Sequence, residues 1–273
     1  MTRSTQHALE TKLPDPDQAV LDTLRRRILV ATQQSREGHV PSALSILDIL
    51  WVLYDRVLRH DPANPTWDER DRFVLSKGHG SLGLYAVLSE KGYFPPAEME
   101  TFATFESRLG GHPDSNKVPG VEASTGSLGH GMPMAVGMAL GLRIRGVRRR
   151  VYTLVGDGEC NEGSIWEAAM LAAHHHLSGL TCIVDHNHST DRALDVGDLV
   201  AKFAAFGWEA CEVDGHDHGA LERSLRAVHP DRPSVVVARC VKGRGVPGME
   251  SNPAWHHRTP TPEELSSLLA GLQ

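Results

Sequence analysis

Between residues 72 and 241 the chain repeats one pattern: a short apolar run, a polar or glycine-rich loop, then a longer segment with apolar residues at helical spacing. The runs fall at 72–75, 151–155, 181–185, 208–213 and 234–241, and the best defined is Val151-Tyr152-Thr153-Leu154-Val155. Helices are expected over 82–90, from about 132 to 142, from the loop after 155 through 177, near 199–206 and over 219–228. Strands alternating with helices in this way predict an α/β fold, a mostly parallel sheet covered by helices on both faces.

Upstream, residues 18–34 carry Leu21, Leu24, Ile28 and Val30 at helical spacing, and 43–58 carry Leu44, Leu47, Leu50, Leu53 and Val57. Two amphipathic helices are expected there, separated by the Gly/Pro break "REGHVPS". The polar opening "MTRSTQHALETKLPDPDQ" holds two prolines, so 1–17 is expected to be a flexible tail and 18–273 a single domain. No internal repeat or linker interrupts it. A formal net charge of −6 makes nucleic acid an unexpected partner, and no apolar run approaches the roughly 20 residues of a membrane span. The four cysteines are far apart in sequence, as suits free thiols in a reducing cytoplasm.

In open α/β sheets ligands bind beyond the carboxyl ends of the strands, where "GDGECNEG" (156–163) and the loop after 185 must lie. Asp157 has no Lys or Arg beside it, so "GDG" is not a Walker-type phosphate loop. An aspartate aimed at phosphate repels it unless a divalent cation intervenes, and Asn187, at the end of the next strand, offers the hard oxygen that Mg²⁺ or Ca²⁺ prefers. The same two residues also suit a helix cap and a turn. Histidine follows glycine at Gly38-His39, Gly78-His79, Gly111-His112 and Gly129-His130, and His256 follows Trp255. Glycine beside histidine brings the backbone close to a ligand while the ring makes the contact. The run His174-His175-His176 reads as packing or surface, "DGHDH" (214–218) as a turn, and "GRGVPG" (243–248) opens no helix and so lacks a dinucleotide site.

The stretch "GDGECNEGSIWEAAMLAAHHHLSGLTCIVDHN" resembles the thiamine diphosphate signature, and its Glu162-Gly163 and Trp166-Glu167-Ala168 details are similar to those of transketolases. Other stretches resemble the same family in the same order: "EGHVPSALSILDILWVLY", "DRFVLSKGHGSLGLYAVL", "GHPDSNKVPGVEASTGSLGHGMPMAVGMALG", "FGWEACEVDGHD" and "KGRGVPGMESNPAWHHRTPTPEEL". The resemblance implies a diphosphate-binding fold with thiamine diphosphate and Mg²⁺ or Ca²⁺ as cofactors. It makes Asp157, Asn187 and the Ser189 carbonyl the metal ligands. It sets Gly158 against the diphosphate, His79 and His256 along diphosphate and thiazolium, and Gly126, Ser127 and Leu128 at the aminopyrimidine. His39 and His112 match histidines that face the ketose donor, and Glu162 matches an acid at a subunit contact. Two stretches depart from the family pattern, His188-Ser189-Thr190-Asp191 after the ligand asparagine and "GHVPSAL" beside His39.

A full-length transketolase is more than twice as long. The resemblance therefore implies the N-terminal subunit of a split enzyme, transferring a two-carbon ketol unit between sugars or sugar phosphates together with a separate C-terminal subunit. The expected assembly is a homodimeric core within an α2β2 heterotetramer. Two alternatives stay open on sequence alone: a subunit serving an unusual acceptor in specialised metabolism, and a non-catalytic scaffold.

Overall fold

Alternate residues of the central strands point to opposite faces of one sheet, and each face carries its own core. In the computed structural model, which describes residues 16–191 and 193–272, the strands are β1 (Arg72–Leu75), β2 (Val151–Gly156), β3 (Leu180–His186), β4 (Glu209–Asp214) and β5 (Ser234–Arg239). They form one sheet in the order β1-β2-β3-β5-β4, every neighbouring pair parallel. Val151, Val155, Cys182, Val184, Val235 and Val237 belong to one core, whereas Tyr152, Leu154, Ile183, Val236 and Ala238 belong to the other. The side-chain period of two enforces that partition, and burial on both faces is why these strands read as continuous apolar runs.

The helices are α1 (Pro16–Ser35), α2 (Val40–Ser45), α3 (Leu47–Val52), α4 (Ser81–Glu90), α5 (Gly131–Ile144), α6 (Gly163–His174), α7 (Leu199–Ala205), α8 (His218–Arg226) and α9 (Pro262–Ala270). The first core takes Met132 of α5, Ile165 of α6 and Phe203 of α7; the second takes Leu24, Leu44, Leu50, Leu84 and Leu221 from α1 to α4 and α8. The predicted α/β architecture is thus the observed one. Among the described residues no helix is long and apolar enough to cross a membrane, and all four cysteines are free.

Three local differences from the sequence pattern have physical causes. The helix expected over 43–58 is divided at Ile46, whose φ of −104° leaves the helical range. The break follows Ser45, whose hydroxyl donates to Asp185 Oδ1 at 2.7 Å. Farther on, the turn widens where the Leu58 amide donates to the Leu53 carbonyl. Helix α9 lies beyond the repeating pattern, yet its start is written locally. Thr261 Oγ1 accepts the Glu264 amide and the Glu264 carboxylate accepts the Thr261 amide, a reciprocal capping box with proline at the first helical position. Helix α1 begins at Pro16, inside the expected tail, whose residues 1–15 lie outside the described ones.

The segment expected as a simple turn at 214–218 also ties α8 to the helices beneath it. His216 Nε2 accepts the Val241 amide at 2.9 Å, so its proton is on Nδ1 and donates to Asp48 Oδ2 at 3.1 Å. His218 faces carboxylates with both nitrogens, Asp17 Oδ2 at 3.0 Å and Asp48 Oδ1 at 2.9 Å. The hydrogen bond to Asp48 raises the His218 pKa above 6.5, with Asp17 adding to it. Burial alone would raise that of Asp48, but both histidines and Arg25 hold it well below the ordinary carboxylate range. Because the folded pKa of His218 is raised, its contribution is complete below the unfolded value of 6.5 and fades as pH rises through the folded one. His218→Gln should therefore cost about 2 kcal/mol in urea unfolding at pH 6, the scale of hydrogen bonds to charged groups, and progressively less on going alkaline. A cost independent of pH would mean that His218 is neutral in the fold.

Candidate active site

Parallel strands that end on one side gather their following loops there. The loops after β1, β2, β3 and β5 line a cleft of about 470 Å³ with Lys77 and His79, with Asp157, Gly158 and Glu159, with Asn187, Ser189 and Thr190, and with Lys242. His39 from the turn before α2, His112, Gly126 and Leu128 from the segment between α4 and α5, and His256 complete the wall.

At one corner Asp157 is only 2% exposed. Its Oδ1 accepts the Gly158 amide at 2.7 Å, its Oδ2 accepts the Asn187 amide at 3.1 Å, and the Ser189 hydroxyl stands 3.5 Å from Oδ1. Among the described residues it makes no ion pair. Burial, and then the neighbouring Asp185 carboxylate, raises its pKa. A buried carboxylate that makes no ion pair among the described residues, with a serine hydroxyl beside it and Asn187 lining the same cleft, has the hard-oxygen chemistry of a Mg²⁺ or Ca²⁺ site. The residues present therefore fit a divalent cation.

Under this corner lies a charge pair that is wholly internal. Lys77 Nζ donates to Asp185 Oδ2 at 2.5 Å, and their side chains are 1% and 0% exposed. Asp185 also accepts from Ser45 Oγ and from Asn187 Nδ2, each at 2.7 Å, while Lys77 reaches the Ser42 carbonyl at 3.3 Å. Burial would raise the Asp185 pKa, but the Lys77 ammonium and the hydrogen bonds from Lys77, Ser45 and Cys240 together outweigh it and lower it. Through Asn187 Nδ2 the pair ties Asn187, whose backbone N–H meets Asp157, to the ends of β1 and β3.

Across the cleft the imidazoles are crowded. The His39 ring lies 5.4 Å from His79, 6.0 Å from His256 and 4.5 Å from His257, centroid to centroid. Burial, and then neighbouring ionisable groups, Lys77 for His79 and the crowded imidazoles for His39, push His79 down to about 2 and His39 down to about 4; burial and then Lys242 lower His256 as well. These three rings are neutral at physiological pH. Burial and Lys77 bring Lys242 down to about 8, still mostly protonated at pH 7. Its ammonium can only donate, so His256 Nδ1, 3.1 Å away, accepts and the His256 proton resides on Nε2.

Glu159 pins the loop that closes the cleft from the side. Its carboxylate accepts from Ser76 Oγ, from the Gly129 amide at 2.8 Å and from the Gly156 amide at 3.2 Å. Gly129 has φ +82°, and a Cβ there would meet Ser164 and stand 2.7 Å from Glu162 Cβ; one on Gly131 would come within 2.5 Å of Ser76 Cα. Only glycine lets this loop seat so closely between β1 and α6.

Of the residues singled out from the sequence, His39, His79, His112, Gly126, Leu128, Asp157, Gly158, Asn187, Ser189 and His256 all line the one cleft. Ser127 and Glu162 do not line it and are exposed. Lys77, Glu159, Asp185 and Lys242 escaped the sequence reading. Charged residues at the ends of runs expected to be buried were the available signal, and Lys77 sits inside the same "SKGHGS" that drew attention to His79.

Residues 16–268 match the family described as the thiamine diphosphate-binding domain of transketolase. The chain belongs to the transketolase family. It is 41% identical over 257 residues to one subunit of the apulose-4-phosphate transketolase of Actinobacillus succinogenes, covering 92% of this chain and 93% of that one. It is 40% identical over 245 residues to a 6-deoxy-6-sulfo-D-fructose transketolase subunit of a Clostridium species, covering 86% and 88%. The fold superimposes on a transketolase variant of Pichia stipitis with a TM-score of 0.86 at 28% identity, covering 92% of this chain but 40% of that one. The transketolase of Leishmania mexicana gives 0.86 and 28%, with 94% and 41% covered. Within the transketolase family the chain therefore has the extent of those separate subunits and less than half the length of these solved relatives.

Proposed function

We propose that this chain is the diphosphate-binding subunit of a two-component transketolase, a transferase that moves a two-carbon ketol unit between sugars or sugar phosphates. The observation that carries the proposal is Asp157, a buried carboxylate without an ion pair among the described residues, set at the strand ends of a thiamine diphosphate-binding domain. Near-complete mutual coverage with relatives that are themselves named as transketolase subunits supports the two-component form.

In this reading Asp157, Asn187 and the Ser189 carbonyl hold Mg²⁺ or Ca²⁺, and Gly158 admits the diphosphate to its backbone. Thiamine diphosphate, when bound, supplies the carbanion chemistry that no side chain offers. His79 and His256 line its site, and the Nε2 proton of His256 is positioned to donate. Neutral His39, with His112, faces the donor sugar, and an uncharged imidazole can take up a proton from a hydroxyl or return it. Gly126, Ser127 and Leu128 lie toward the aminopyrimidine, and exposed Glu162 toward a neighbouring subunit.

Residues 18–273 act as one domain that needs a partner bearing the pyrimidine-binding half. Support comes from exposed apolar side chains on α5 and α6: Met134 is 39%, Ile144 77%, Met170 52% and Leu171 47% exposed. On the same helix pair a Cβ added at Gly137 or Gly141 would meet no described atom within 4 Å, which leaves room for close helix approach. The assembly proposed is a homodimeric core carrying two C-terminal subunits with two-fold symmetry, and the free cysteines suit a cytoplasmic setting. The histidines give the test. In the reconstituted complex His112→Ala should lower ketol-transfer kcat by about 10²-fold or more, the scale of a positioned proton-transfer group, with cofactor affinity nearly unchanged. His79→Ala should lower both. Wild-type turnover in both variants would remove the histidines from the chemistry.

A further inference from the structure

Strand β3 ends in His186, and the chain beyond it folds so that His188 and Asp191 come to the same place. One ligand atom from each of the three residues lies within 4.8 Å of the others. The two imidazole centroids are 4.1 Å apart, and His188 Nδ1 is 2.9 Å from Asp191 Oδ2. His186 Nδ1 is shut off from solvent and, among the described residues, has no hydrogen-bond partner. Leaving such a nitrogen unpaired is costly unless something else uses its lone pair. His188 is held at φ +61°, in the left-handed region that a residue with a Cβ seldom occupies. None of the three residues lines the cleft described above.

We propose that His186, His188 and Asp191 form a second metal site, for a borderline transition-metal ion such as Zn²⁺, Co²⁺ or Ni²⁺. Two imidazoles and one carboxylate select such ions over Mg²⁺ and Ca²⁺, which favour all-oxygen sets. Three protein ligands leave a fourth tetrahedral position for water. The site is distinct from the Asp157 corner in chemistry as well as place. There the donors are oxygens, Asn187 included: its Nδ2 donates to Asp185, while Oδ1 accepts the Ser189 amide and keeps a second lone pair. His188 and Asp191 are exposed, so an ion reaches them from solvent. Because Asn187 and Ser189 alternate with the new ligands along the chain, an ion here also fixes the segment that carries the cleft's own oxygen donors.

Zinc binding to the full chain, measured by competition with a chromophoric chelator in excess Mg²⁺ to occupy the oxygen corner, tests this. One equivalent is expected. His188→Ala and Asp191→Asn should each weaken it by at least about 10- to 100-fold, the loss that follows even when only an outer partner of a ligand is removed. Both positions are at the surface, and far-ultraviolet circular dichroism checks that each variant is folded. The paired His174→Ala/His175→Ala variant and His256→Ala should bind zinc as the wild type does. With Co²⁺ in place of Zn²⁺, the visible absorption of a tetrahedral site should appear in the wild type and collapse in His188→Ala. Absence of stoichiometric zinc uptake overturns the proposal, as does wild-type affinity in both ligand variants. A loss that tracks His256→Ala instead would put the ion among the cleft imidazoles and overturn it equally.

Discussion

Lys77→Met lowers the unfolding free energy by about 3–5 kcal/mol at neutral pH, the cost of leaving one member of a buried ion pair without the other. Methionine keeps most of the aliphatic stem, so the loss is electrical: Asp185, 0% exposed, retains its charge or must be protonated to bury it. Ser45 Oγ and Asn187 Nδ2 still donate to it, yet neither carries the countercharge. The double variant Lys77→Met/Asp185→Leu removes both charges and should regain a large part of the loss, since apolar replacements of a buried pair are often close to neutral. Urea unfolding of the three proteins decides the matter. A change of less than about 1 kcal/mol in Lys77→Met, the range of surface ion pairs, would mean that water reaches the pair.

Asp157→Asn has the opposite profile, a large effect on binding and a small one on the fold. Cation-dependent affinity for thiamine diphosphate should fall by at least about 100-fold, because loss of the charged ligand exceeds the 10- to 100-fold that outer partners cost. Stability without cofactor should change by less than about 1 kcal/mol. The amide's single oxygen keeps one of the two backbone N–H bonds, and the loss of the other is offset because the variant no longer buries a charge beside Asp185. The sign is fixed by the raised pKa. Above the unfolded value of 3.8 the ionised Asp157 is a burden on the empty fold, one that a bound cation relieves. Calorimetric titration with thiamine diphosphate, with and without a chelator of divalent ions, reads the binding arm. Equal affinity in the presence of chelator would remove the cation from the site.

That Asp157 and Asn187 meet in one cleft was legible in the sequence because it depends on strand ends. Asp157 and Asn187 each follow an apolar run, and a parallel sheet places all such ends on one side. The glycine-flanked histidines were legible in type, and most of them line the cleft. Long-range pairs were not. Lys77 and Asp185 are 108 residues apart, and Asp48 meets His216 and His218 across 168 and 170. Such pairings depend on how the strands are ordered, which local periodicity does not encode. The same limit applies to the helix break at Ile46. Leu44, Leu47 and Leu50 keep helical spacing straight through it, and what coincides with the break is a tertiary hydrogen bond from Ser45. Glu159 was concealed differently, as one of three acids in "GDGECNEG", where spacing alone gives no sign that it turns inward to hold Gly129 while Glu162 stays outside.

Ketol transfer from a ketose donor to an aldose acceptor, assayed with thiamine diphosphate and Mg²⁺ on the purified chain, on a separately purified transketolase C-terminal subunit, and on mixtures of the two, tests the central claim most directly. The account predicts no turnover by either component alone and activity that rises with added partner until the ratio is one to one. Sustained turnover by a preparation shown to be free of the partner would contradict it.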